Sequence, residues 1–310
     1  MPEAFVPALR VSGASRAIEV LGDAWVLRIL RTSFRGARRF SDHMHALGVS
    51  RAVLSDRLER MCRDGLLEKI VAPSAHPEYR LTETGLALWS VLLAMWQWEQ
   101  HWGTGTDTSA PSHDRPRIRL IHLECGKPID PIYACAHCQA PVTPFDTFAA
   151  PATEEDEHTA PAALLPARRR YRKSHSDDRG SLPTLLRLFG DRWNAMIVAA
   201  ALQGHKTFSA LSVATGIWPA SLTDRLEELQ SMGMLRGISY AGSRLEYHLT
   251  RAAIATYPIT IELIHWGDHW QRHSASSLTV IHRPCGQSLR GQWMCPHCNN
   301  VLQRDTIRFD

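Results

Sequence analysis

The amino-acid sequence predicts a mainly α-helical protein with small β-wings, an α+β fold made of two tandem copies of one domain plan. Two observations lead to this prediction. Blocks of residues recur along the chain at a constant offset of 168 positions. Three cysteines and one histidine also occur in one order and spacing, and the same order and spacing return later. With 310 residues, of which 44% are apolar, the chain is long enough for several domains with hydrophobic cores.

The internal repeat extends from a GDxW motif to a tryptophan-rich segment. GDAW at 22–25 matches GDRW at 190–193, and Trp98 matches Trp266. Because every matched pair has the same offset, the two copies contain no net insertion between these points. Residues 150–181 separate the copies; they are rich in alanine and proline and carry an acidic EEDE run and a basic RRRYRK run. This composition predicts a solvated linker.

The first copy begins with two predicted helical segments. The apolar spacing predicts a helix over about residues 14–33 and a short helix that starts near Phe40. After a turn, Ser50 is a suitable N-cap for a helix over about residues 51–64. Gly65 suits the left-handed conformation that ends many helices. A helix, a turn and a second helix in this order predict a helix-turn-helix motif.

A β-hairpin and a long helix complete the first copy. LEKIV at 67–71 and EYRL at 78–81 flank a polar tip, which is typical of a hairpin. Thr82 is the expected cap of a long amphipathic helix that carries four tryptophans. The complete order predicts a winged helix-turn-helix domain over residues 10–104, and the repeat predicts a second one over residues 182–272.

Ordered blocks in both copies resemble the HxlR-type transcription regulators. In the first copy the blocks are AIEVLGDAWVLRILR, RRFSDH, GVSRAVLSDRLERMCRDGLLEK and EYRLTETG. In the second copy LLRLFGDRWNAMIV, KTFSAL, ATGIWPASLTDRLEELQSMGML, LEYHLT and ELIHWGDHW resemble the same family. The resemblance covers about residues 22–102 and 190–270, which is more than half of the chain.

The resemblance implies a bacterial regulator that binds double-stranded DNA. Members of this family normally form homodimers through their terminal helices, with one recognition helix per subunit in the major groove. Since both winged helices here belong to one chain, the resemblance implies an intramolecular pseudo-dimer and leaves further homodimerisation open. Many members also carry a redox-sensing cysteine ahead of the GDxW tryptophan, but Ser12 and Gly180 stand near the equivalent positions. Thiol-based sensing by that route is therefore not expected.

Basic residues surround the predicted recognition helix of the first copy but not that of the second. The whole chain has a net charge of only +4, yet residues 35–63 contain seven arginines against three acidic residues. The matching residues 203–231 contain two basic and three acidic residues. Because a DNA duplex carries dense negative charge, we expect the first copy to supply most of the DNA affinity.

Candidate DNA contacts lie on or beside the recognition helices and in the second hairpin. The first half of a recognition helix meets base edges, so Arg51 is a candidate donor to guanine and Ser55 a candidate partner for either base type. The full set is Arg38, Arg39, Ser50, Arg51, Ala52, Ser55, Arg57, Lys206, Ala220, Thr223, Arg225 and Arg244. For Arg57 and Arg225 the alternative is an ion pair with an acidic residue one helical turn away.

The repeated cysteines and histidines predict two structural zinc sites. Both sets follow the spacing His-x2-Cys-x9-Cys-x2-Cys. Four thiolate or imidazole ligands form a closed tetrahedron, which suits a structural zinc ion. The predicted ligands are His122, Cys125, Cys135 and Cys138 in a zinc-ribbon-like module at 117–149, and His282, Cys285, Cys295 and Cys298 in a second module at 277–310. We expect about two zinc ions per chain, each closed within its own module and contributing to its folding.

Other interpretations of these residues remain open to a lesser degree. His137 and His297, inside the Cys-x2-Cys turns, are the alternative fourth ligands. A disulfide framework or a thioredoxin-like redox pair is a weaker interpretation, because six of the seven cysteines belong to the repeated sets. The seventh, Cys62, has Gln230 at its counterpart position and is expected to be an ordinary helix residue.

The sequence disfavours several other classes of protein. It has no phosphate-cradling glycine loop and no arrangement typical of nucleophilic catalysis, so no enzymatic activity is expected. Its apolar runs are too short to span a membrane and its start lacks a signal-peptide pattern, which predicts a cytoplasmic protein. The main alternative function is an interaction adaptor that binds other transcription proteins with little DNA specificity.

Overall fold

The computed structural model describes residues 12–71, 76–103, 119–151, 184–241, 244–270 and 278–310. The predicted linker lies outside these ranges from residue 152 onward, including its RRRYRK run, and so do residues 72–75 of the first hairpin tip. The described residues form two winged helix-turn-helix domains with small antiparallel sheets, which confirms the predicted α+β fold. None of the helices in these ranges is long and apolar enough to cross a lipid bilayer.

The first winged helix domain follows the predicted order of elements. They are α1 (Gly13–Leu21), α2 (Ala24–Phe34), α3 (Phe40–Leu47), α4 (Arg51–Arg63), β1 (Leu67–Ile70), β2 (Glu78–Leu81), α5 (Glu83–Leu86) and α6 (Trp89–Trp102). Strands β1 and β2 form an antiparallel hairpin with Leu67 opposite Leu81. Helix α4, the recognition helix, buries Leu54, Leu58 and Met61 at helical spacing in the core, so its opposite face is left at the surface.

Side-chain caps explain where the first helices start. The Ser50 hydroxyl accepts a hydrogen bond from a backbone N–H of the first turn of α4 at 3.4 Å, so Ser50 is the N-cap as predicted. The single helix predicted over residues 14–33 is wrong. Asp23 accepts from the Trp25 N–H at 2.9 Å and so caps a new helix, which separates α1 from α2.

The tryptophan-rich helix is also divided. Thr82 does act as a cap, accepting from the Gly85 N–H at 3.1 Å, but it caps only the short helix α5. The long helix α6 then begins at Trp89. In the second copy Thr250 caps the corresponding short helix in the same way. The division is therefore part of the domain plan and not an irregularity of one copy.

The second winged helix domain repeats the first. Its elements are α7 (Thr184–Phe189), α8 (Arg192–Leu202), α9 (Phe208–Thr215), α10 (Pro219–Ser231), β7 (Leu235–Ala241), β8 (Arg244–Leu249), α11 (Arg251–Ile254) and α12 (Tyr257–Trp270). Asp191 caps α8 by accepting from the Trp193 N–H at 3.0 Å, as Asp23 does for α2. Trp218 stands at the N-cap of the recognition helix α10 and makes no side-chain cap bond. Pro219 follows it, at a position where a missing N–H costs little.

The cysteine- and histidine-containing segments form small sheets that join the two modules. Their strands are β3 (Leu120–His122), β4 (Lys127–Ile129), β5 (Ile132–Cys135), β6 (Thr147–Pro151), β9 (Leu278–His282), β10 (Gln287–Ser288), β11 (Gly291–Met294) and β12 (Ile307–Phe309). Strand β12 pairs with β3, and β6 pairs with β9, so each module gives its last strand to the sheet of the other. Strands β5 and β11 pair with each other. The two modules are therefore interlaced.

The two copies meet through residues that are each other's counterparts in the repeat. Asp23 and Asp191, 168 positions apart, form an antiparallel backbone bridge. Tyr133 and Trp293, counterparts at the 160-position offset of the modules, lie opposite each other with ring centroids 4.9 Å apart. Contacts between counterpart residues are the pattern of an isologous interface around an approximate twofold axis.

Buried tryptophans join the copies by reciprocal hydrogen bonds. The Trp98 indole N–H donates to the carbonyl oxygen of Ala252 at 2.7 Å. Its counterpart Trp266 donates to the carbonyl oxygen of Thr84 at 3.0 Å. The two acceptors are counterparts as well. Since Trp98 and Trp266 are only 3% and 4% exposed, each bond satisfies polar groups that water cannot reach.

Helix α1 also packs closely on α12 of the other copy. Gly267 lies directly against the backbone of Gly13, and a Cβ atom at position 267 would collide with the Gly13 carbonyl oxygen. Nearby, the Arg16 guanidinium forms an ion pair with Asp268 at 2.5 Å. The lack of a side chain at Gly267 permits the close approach of the two helices, and the ion pair between Arg16 and Asp268 fixes their register.

Replacing Trp98 with phenylalanine should weaken the contact between the copies, because the buried carbonyl of Ala252 would lose its donor. We expect the free energy of unfolding to fall by about 1–2 kcal/mol more than in Trp96→Phe. Trp96 is the matched control because its buried Nε1 has no hydrogen-bond partner among the described residues. Urea denaturation followed by circular dichroism measures both variants. Equal losses of stability would contradict a role for the Trp98 hydrogen bond.

Candidate metal centres and nucleic-acid interface

Tight turns carry the candidate metal ligands in pairs. The two His-x2-Cys turns end at Gly126 and Gly286, whose φ angles are 67° and 69°. The two Cys-x2-Cys turns end at Gln139 and Asn299, with φ angles of 60° and 57°. All four residues lie in the left-handed region, which glycine adopts freely and asparagine more readily than most residues. The backbone therefore reverses immediately after the second donor of each pair.

The first cluster of donor atoms combines ligands from both modules. It contains His122 and Cys125 from the first module and Cys295 and Cys298 from the second. The Sγ atom of Cys125 lies 3.8 Å from that of Cys295 and 3.3 Å from Nδ1 of His122. The Sγ atom of Cys298 lies 3.4 Å from the same ring nitrogen.

The second cluster repeats this arrangement with the roles of the modules exchanged. It contains Cys135 and Cys138 from the first module and His282 and Cys285 from the second. The Sγ atoms of Cys135 and Cys285 are 4.0 Å apart. Nδ1 of His282 lies 3.4 Å from the Sγ atoms of both Cys138 and Cys285.

The eight predicted ligands are therefore brought together, but their predicted division between the modules is wrong. Each cluster takes a His-x2-Cys pair from one module and a Cys-x2-Cys pair from the other. The reason lies in the strand exchange, because the pairing of β5 with β11 and of β12 with β3 sets each turn beside the complementary turn of the other copy. Since both modules have identical spacing, the sequence alone is compatible with either division.

The distances between donor atoms fit a tetrahedral metal ion. With bonds of about 2.3 Å to sulfur and about 2.0 Å to nitrogen, the edges of a tetrahedron are about 3.8 Å between sulfurs and about 3.5 Å between sulfur and nitrogen. The sulfur–sulfur distances here are 3.8 and 4.0 Å, and the sulfur–nitrogen distances are 3.3–3.4 Å. Each cluster can therefore hold one metal ion with four protein ligands and no open position.

The histidines of the two clusters are fully buried, whereas the alternative histidines are not. His122 and His282 are 0% exposed. The Nε2 atom of His122 lies 3.6 Å from the carboxylate of Glu124, which is too long for a hydrogen bond. His137 and His297 are exposed and belong to neither cluster. The geometry thus favours His122 and His282 as the nitrogen ligands.

Backbone N–H groups favour the thiolate form of the innermost cysteines. Burial raises the pKa of the Cys135 thiol, but hydrogen bonds from the backbone of Cys138 and His137 and from the Cys138 and Cys285 side chains together outweigh this effect, so the pKa lies below its ordinary value. The counterpart Cys295 has a lowered pKa for the same reasons. The thiolate is the form of cysteine that binds metals, so the turns themselves prepare these ligands.

Most of the candidate DNA contacts lie on the surface. The exposed candidates are Arg38, Arg39, Ser50, Arg51, Ala52, Lys206, Ala220, Thr223 and Arg244. Ser55 is half-buried, and its hydroxyl donates to the Glu59 carboxylate at 3.4 Å. The guanidinium of Arg51 lies 5.9 Å from the centre of the Phe40 ring, which orients it at the start of α4.

Arg57 and Arg225 require a correction, because both are held in ion pairs inside the protein. Nε of Arg57 lies 2.7 Å from the Asp23 carboxylate, and a terminal nitrogen of Arg225 lies 2.9 Å from the Asp191 carboxylate. Arg225 also pairs with Glu228, one helical turn away, at 2.9 Å. These arginines attach each recognition helix to the aspartate of its GDxW motif. They act as anchors of the helix, which is the ion-pair alternative given for these two residues and not a DNA contact.

An exposed tryptophan at the second recognition helix was not predicted. Trp218 is 81% exposed at the N-cap of α10, where the first copy has Ser50. On the preceding helix α9, Val213 is 55% exposed. The signal in the sequence was an aromatic residue at a capping position, where a small polar residue is usual. The two copies therefore differ in the polarity of this surface as well as in charge.

The chain is similar to known transcription regulators. A sequence profile described as HxlR-like helix-turn-helix matches residues 20–107 and 188–275. An uncharacterised HTH-type transcriptional regulator of Mycobacterium bovis is 37% identical over 131 residues, which cover 41% of this chain and 78% of that protein. A second such regulator, from Bacillus subtilis, is 33% identical over 90 residues, which cover 28% of this chain and 83% of that protein. The crystal structure of a candidate transcription factor is 30% identical, with 40% of this chain and 84% of that one covered and a TM-score of 0.35.

Pairs of cysteine substitutions should distinguish the two ways of dividing the ligands. Cys125→Ser combined with Cys298→Ser removes two ligands of one cluster, so we expect about one metal ion per chain to remain. Cys125→Ser combined with Cys138→Ser damages both clusters, so we expect almost no bound metal. Mass spectrometry of metal content after gel filtration measures both. The reverse result, with more metal in the second double variant, would show that each module closes its own site.

Proposed function

The chain belongs to the HxlR-like helix-turn-helix family, a non-enzymatic class of transcription regulators, and we propose that it is a sequence-specific DNA-binding regulator acting as an intramolecular pseudo-dimer. The observation that carries this proposal is the set of contacts between counterpart residues. The backbone bridge between Asp23 and Asp191 and the reciprocal bonds of Trp98 and Trp266 join the copies as an isologous interface joins two subunits. One chain thus supplies the two recognition helices that a dimer would supply.

The first copy dominates the binding of DNA. Five arginines around its helix-turn-helix motif are exposed, namely Arg35, Arg38, Arg39, Arg51 and Arg63. Arg38 and Arg39 precede α3 and bind phosphates, while Arg51, Ala52 and Ser55 on the first half of α4 contact base edges. Ser50, as the N-cap, leaves the positive end of α4 directed at the duplex.

The second copy binds DNA more weakly. Lys206 and Arg244 are its exposed basic candidates, and Ala220 and Thr223 are its exposed candidates on the recognition helix. The Thr223 hydroxyl donates back to the Pro219 carbonyl at 3.2 Å, so it is partly engaged within the helix. The second copy has few cations on this surface, and Asp224 lies next to Thr223. Its residues therefore contribute shape complementarity to DNA binding more than electrostatic attraction.

Zinc is the metal that suits both clusters. Three soft sulfur donors and one imidazole in a closed tetrahedron are typical of structural zinc, and hard cations such as magnesium prefer oxygen ligands. The ion held by His122, Cys125, Cys295 and Cys298, and the one held by Cys135, Cys138, His282 and Cys285, would each join the two modules. The role of zinc here is to fix the relative position of the copies, and no catalytic role follows because no coordination position is open.

Selection of bound duplexes from a random pool, with the metal-loaded full chain, tests the regulatory function. A pseudo-dimer should select a two-part site with centres about one helical turn apart, which is about 34–36 Å. Affinity for the selected duplex should fall steeply with salt, because phosphate contacts release counterions. Failure to enrich any sequence, together with weak binding at low salt, would contradict the proposal.

Replacing Arg51 with alanine should cost about 1–3 kcal/mol in binding of the selected duplex and relax the preference at one base pair. Fluorescence anisotropy with the selected duplex and single-base variants measures both effects. Arg63→Ala is the matched control, because it removes the same charge from the exposed last position of α4. Equal weakening on all duplexes would instead identify Arg51 as a phosphate contact, and no change would exclude α4 as the reading helix.

A second candidate function concerns only the second copy, whose recognition surface exposes large apolar side chains. Trp218 at 81% exposure and Tyr240 at 51% exposure lie on the recognition helix and hairpin of this domain. Large exposed apolar side chains are typical of protein-binding surfaces. In this alternative, the second copy binds another transcription protein while the first copy binds DNA.

Replacing Trp218 with serine, the residue at the counterpart position of the first copy, tests this alternative. If the second copy binds protein, the affinity for the selected duplex should stay within about twofold of the unmodified chain, because a surface residue away from DNA contributes little. Fluorescence anisotropy measures this affinity. The loss of affinity in Arg51→Ala, measured in parallel, is the reference for a residue that contacts DNA. A loss comparable to that of Arg51→Ala would show that Trp218 contacts DNA and would exclude the alternative.

A further inference from the structure

A cavity of about 460 Å³ lies where segments of both copies meet. Helix α12 of the second domain forms one wall, with Tyr257 and Ile264 among its lining residues. Strand β6 of the first module and β9 of the second form another, through Ala149 and Val280. Ala14 on α1 completes the lining from the first domain. The volume is within the range of small-molecule sites, which are about 300–1,000 Å³.

The corresponding position in the other half of the molecule is filled by aromatic side chains. There, the rings of Trp96 on α6 and Phe309 on β12 are in edge contact, with centroids 5.2 Å apart. The counterparts of these two residues are Ile264 and Ala149. Both of the smaller residues line the cavity. The cavity therefore lies where an indole and a phenyl ring have been replaced by smaller side chains, and it has room for a planar apolar group.

The polar groups of the lining indicate what such a molecule should carry. Arg283 is exposed at the edge, with its Nε donating to the Thr147 carbonyl at 3.3 Å and its guanidinium 4.9 Å from the Phe148 ring. No carboxylate side chain occurs among the described residues that line the cavity. Arg283 therefore brings a permanent positive charge to the edge of the cavity, which favours an anionic group on the ligand.

Two neutral polar groups add hydrogen-bonding capacity. The Tyr257 hydroxyl is bonded to that of Thr147 at 2.5 Å, and burial raises the pKa of Tyr257 to about 12, so it keeps its proton near neutral pH. The Oε1 atom of Gln203 is buried and has no partner within the described part of the chain. A buried acceptor without a donor is costly, and a bound molecule with an N–H or O–H group would satisfy it.

We propose that this cavity binds a small molecule that combines an aromatic ring with a carboxylate. The ring occupies the volume left by Ile264 and Ala149, and the carboxylate pairs with Arg283. Binding at this site is independent of the DNA-binding function proposed above. Because segments of both copies line the cavity, its occupant contacts both halves of the molecule.

Isothermal titration calorimetry of the metal-loaded full chain with 1-naphthoate tests the proposal without DNA. We expect binding of one molecule per chain, and weaker binding of the uncharged 1-naphthylmethanol. Ala149→Phe restores the residue type of the other half and should abolish binding. Arg283→Gln should weaken naphthoate binding about tenfold or more, whereas Arg290→Gln, an exposed arginine of the same module that does not line the cavity, should have no effect.

Several outcomes would overturn the proposal. These are no binding of 1-naphthoate, unchanged binding in Ala149→Phe, or equal loss in Arg283→Gln and Arg290→Gln. Equal affinity for 1-naphthylmethanol would overturn the assignment of the carboxylate. Metal content and thermal midpoint establish that each variant is folded. Ile264→Trp, which fills the cavity from the opposite wall, replaces Ala149→Phe if that variant does not fold.

Discussion

The exchange of metal ligands between the two copies is the constraint on which the rest of the structure depends. Neither cluster has four donors unless both modules are present and correctly placed. A structural zinc ion contributes about 10–16 kcal/mol of apparent binding free energy, which is comparable to the whole stability of a domain, about 5–15 kcal/mol. With metal bound, separation of the copies would thus cost as much as unfolding. The tryptophan bonds and the extensive contact between α1 and α12 also join the copies, and they do so without a metal ion.

The two copies have diverged at their outer surfaces and not at the residues that join them. The ligands and the GDxW aspartates are the same in both copies, because each takes part in a contact that joins or anchors them. The exposed faces of the recognition helices have diverged: there the first copy is rich in arginine, while the second exposes Trp218. A duplicated gene product can lose symmetry at its outer surfaces without losing it at the interface.

The sequence was sufficient for the elements but not for the way in which the modules are joined. The repeat, the winged helix order and the Ser50 cap depend on local chemistry, and the structure has all three. The division of the ligands could not be predicted, because two modules with identical spacing offer the same donors to either arrangement. The sequence does not reveal the break between α1 and α2, because the helical spacing of apolar residues continues through Asp23. The ion pair between Arg57 and Asp23 could not be predicted either, because the two residues are far apart in the sequence.

The exchange of strands and ligands also sets an order of events during synthesis. The ribosome makes the first module long before Cys285 and Cys298 exist. The four donors of the first module can therefore form only half of each cluster. Neither cluster can therefore be completed until Cys285 and Cys298, near the end of the chain, have been translated. In this way, the interlaced modules make maturation an all-or-none property of the whole polypeptide.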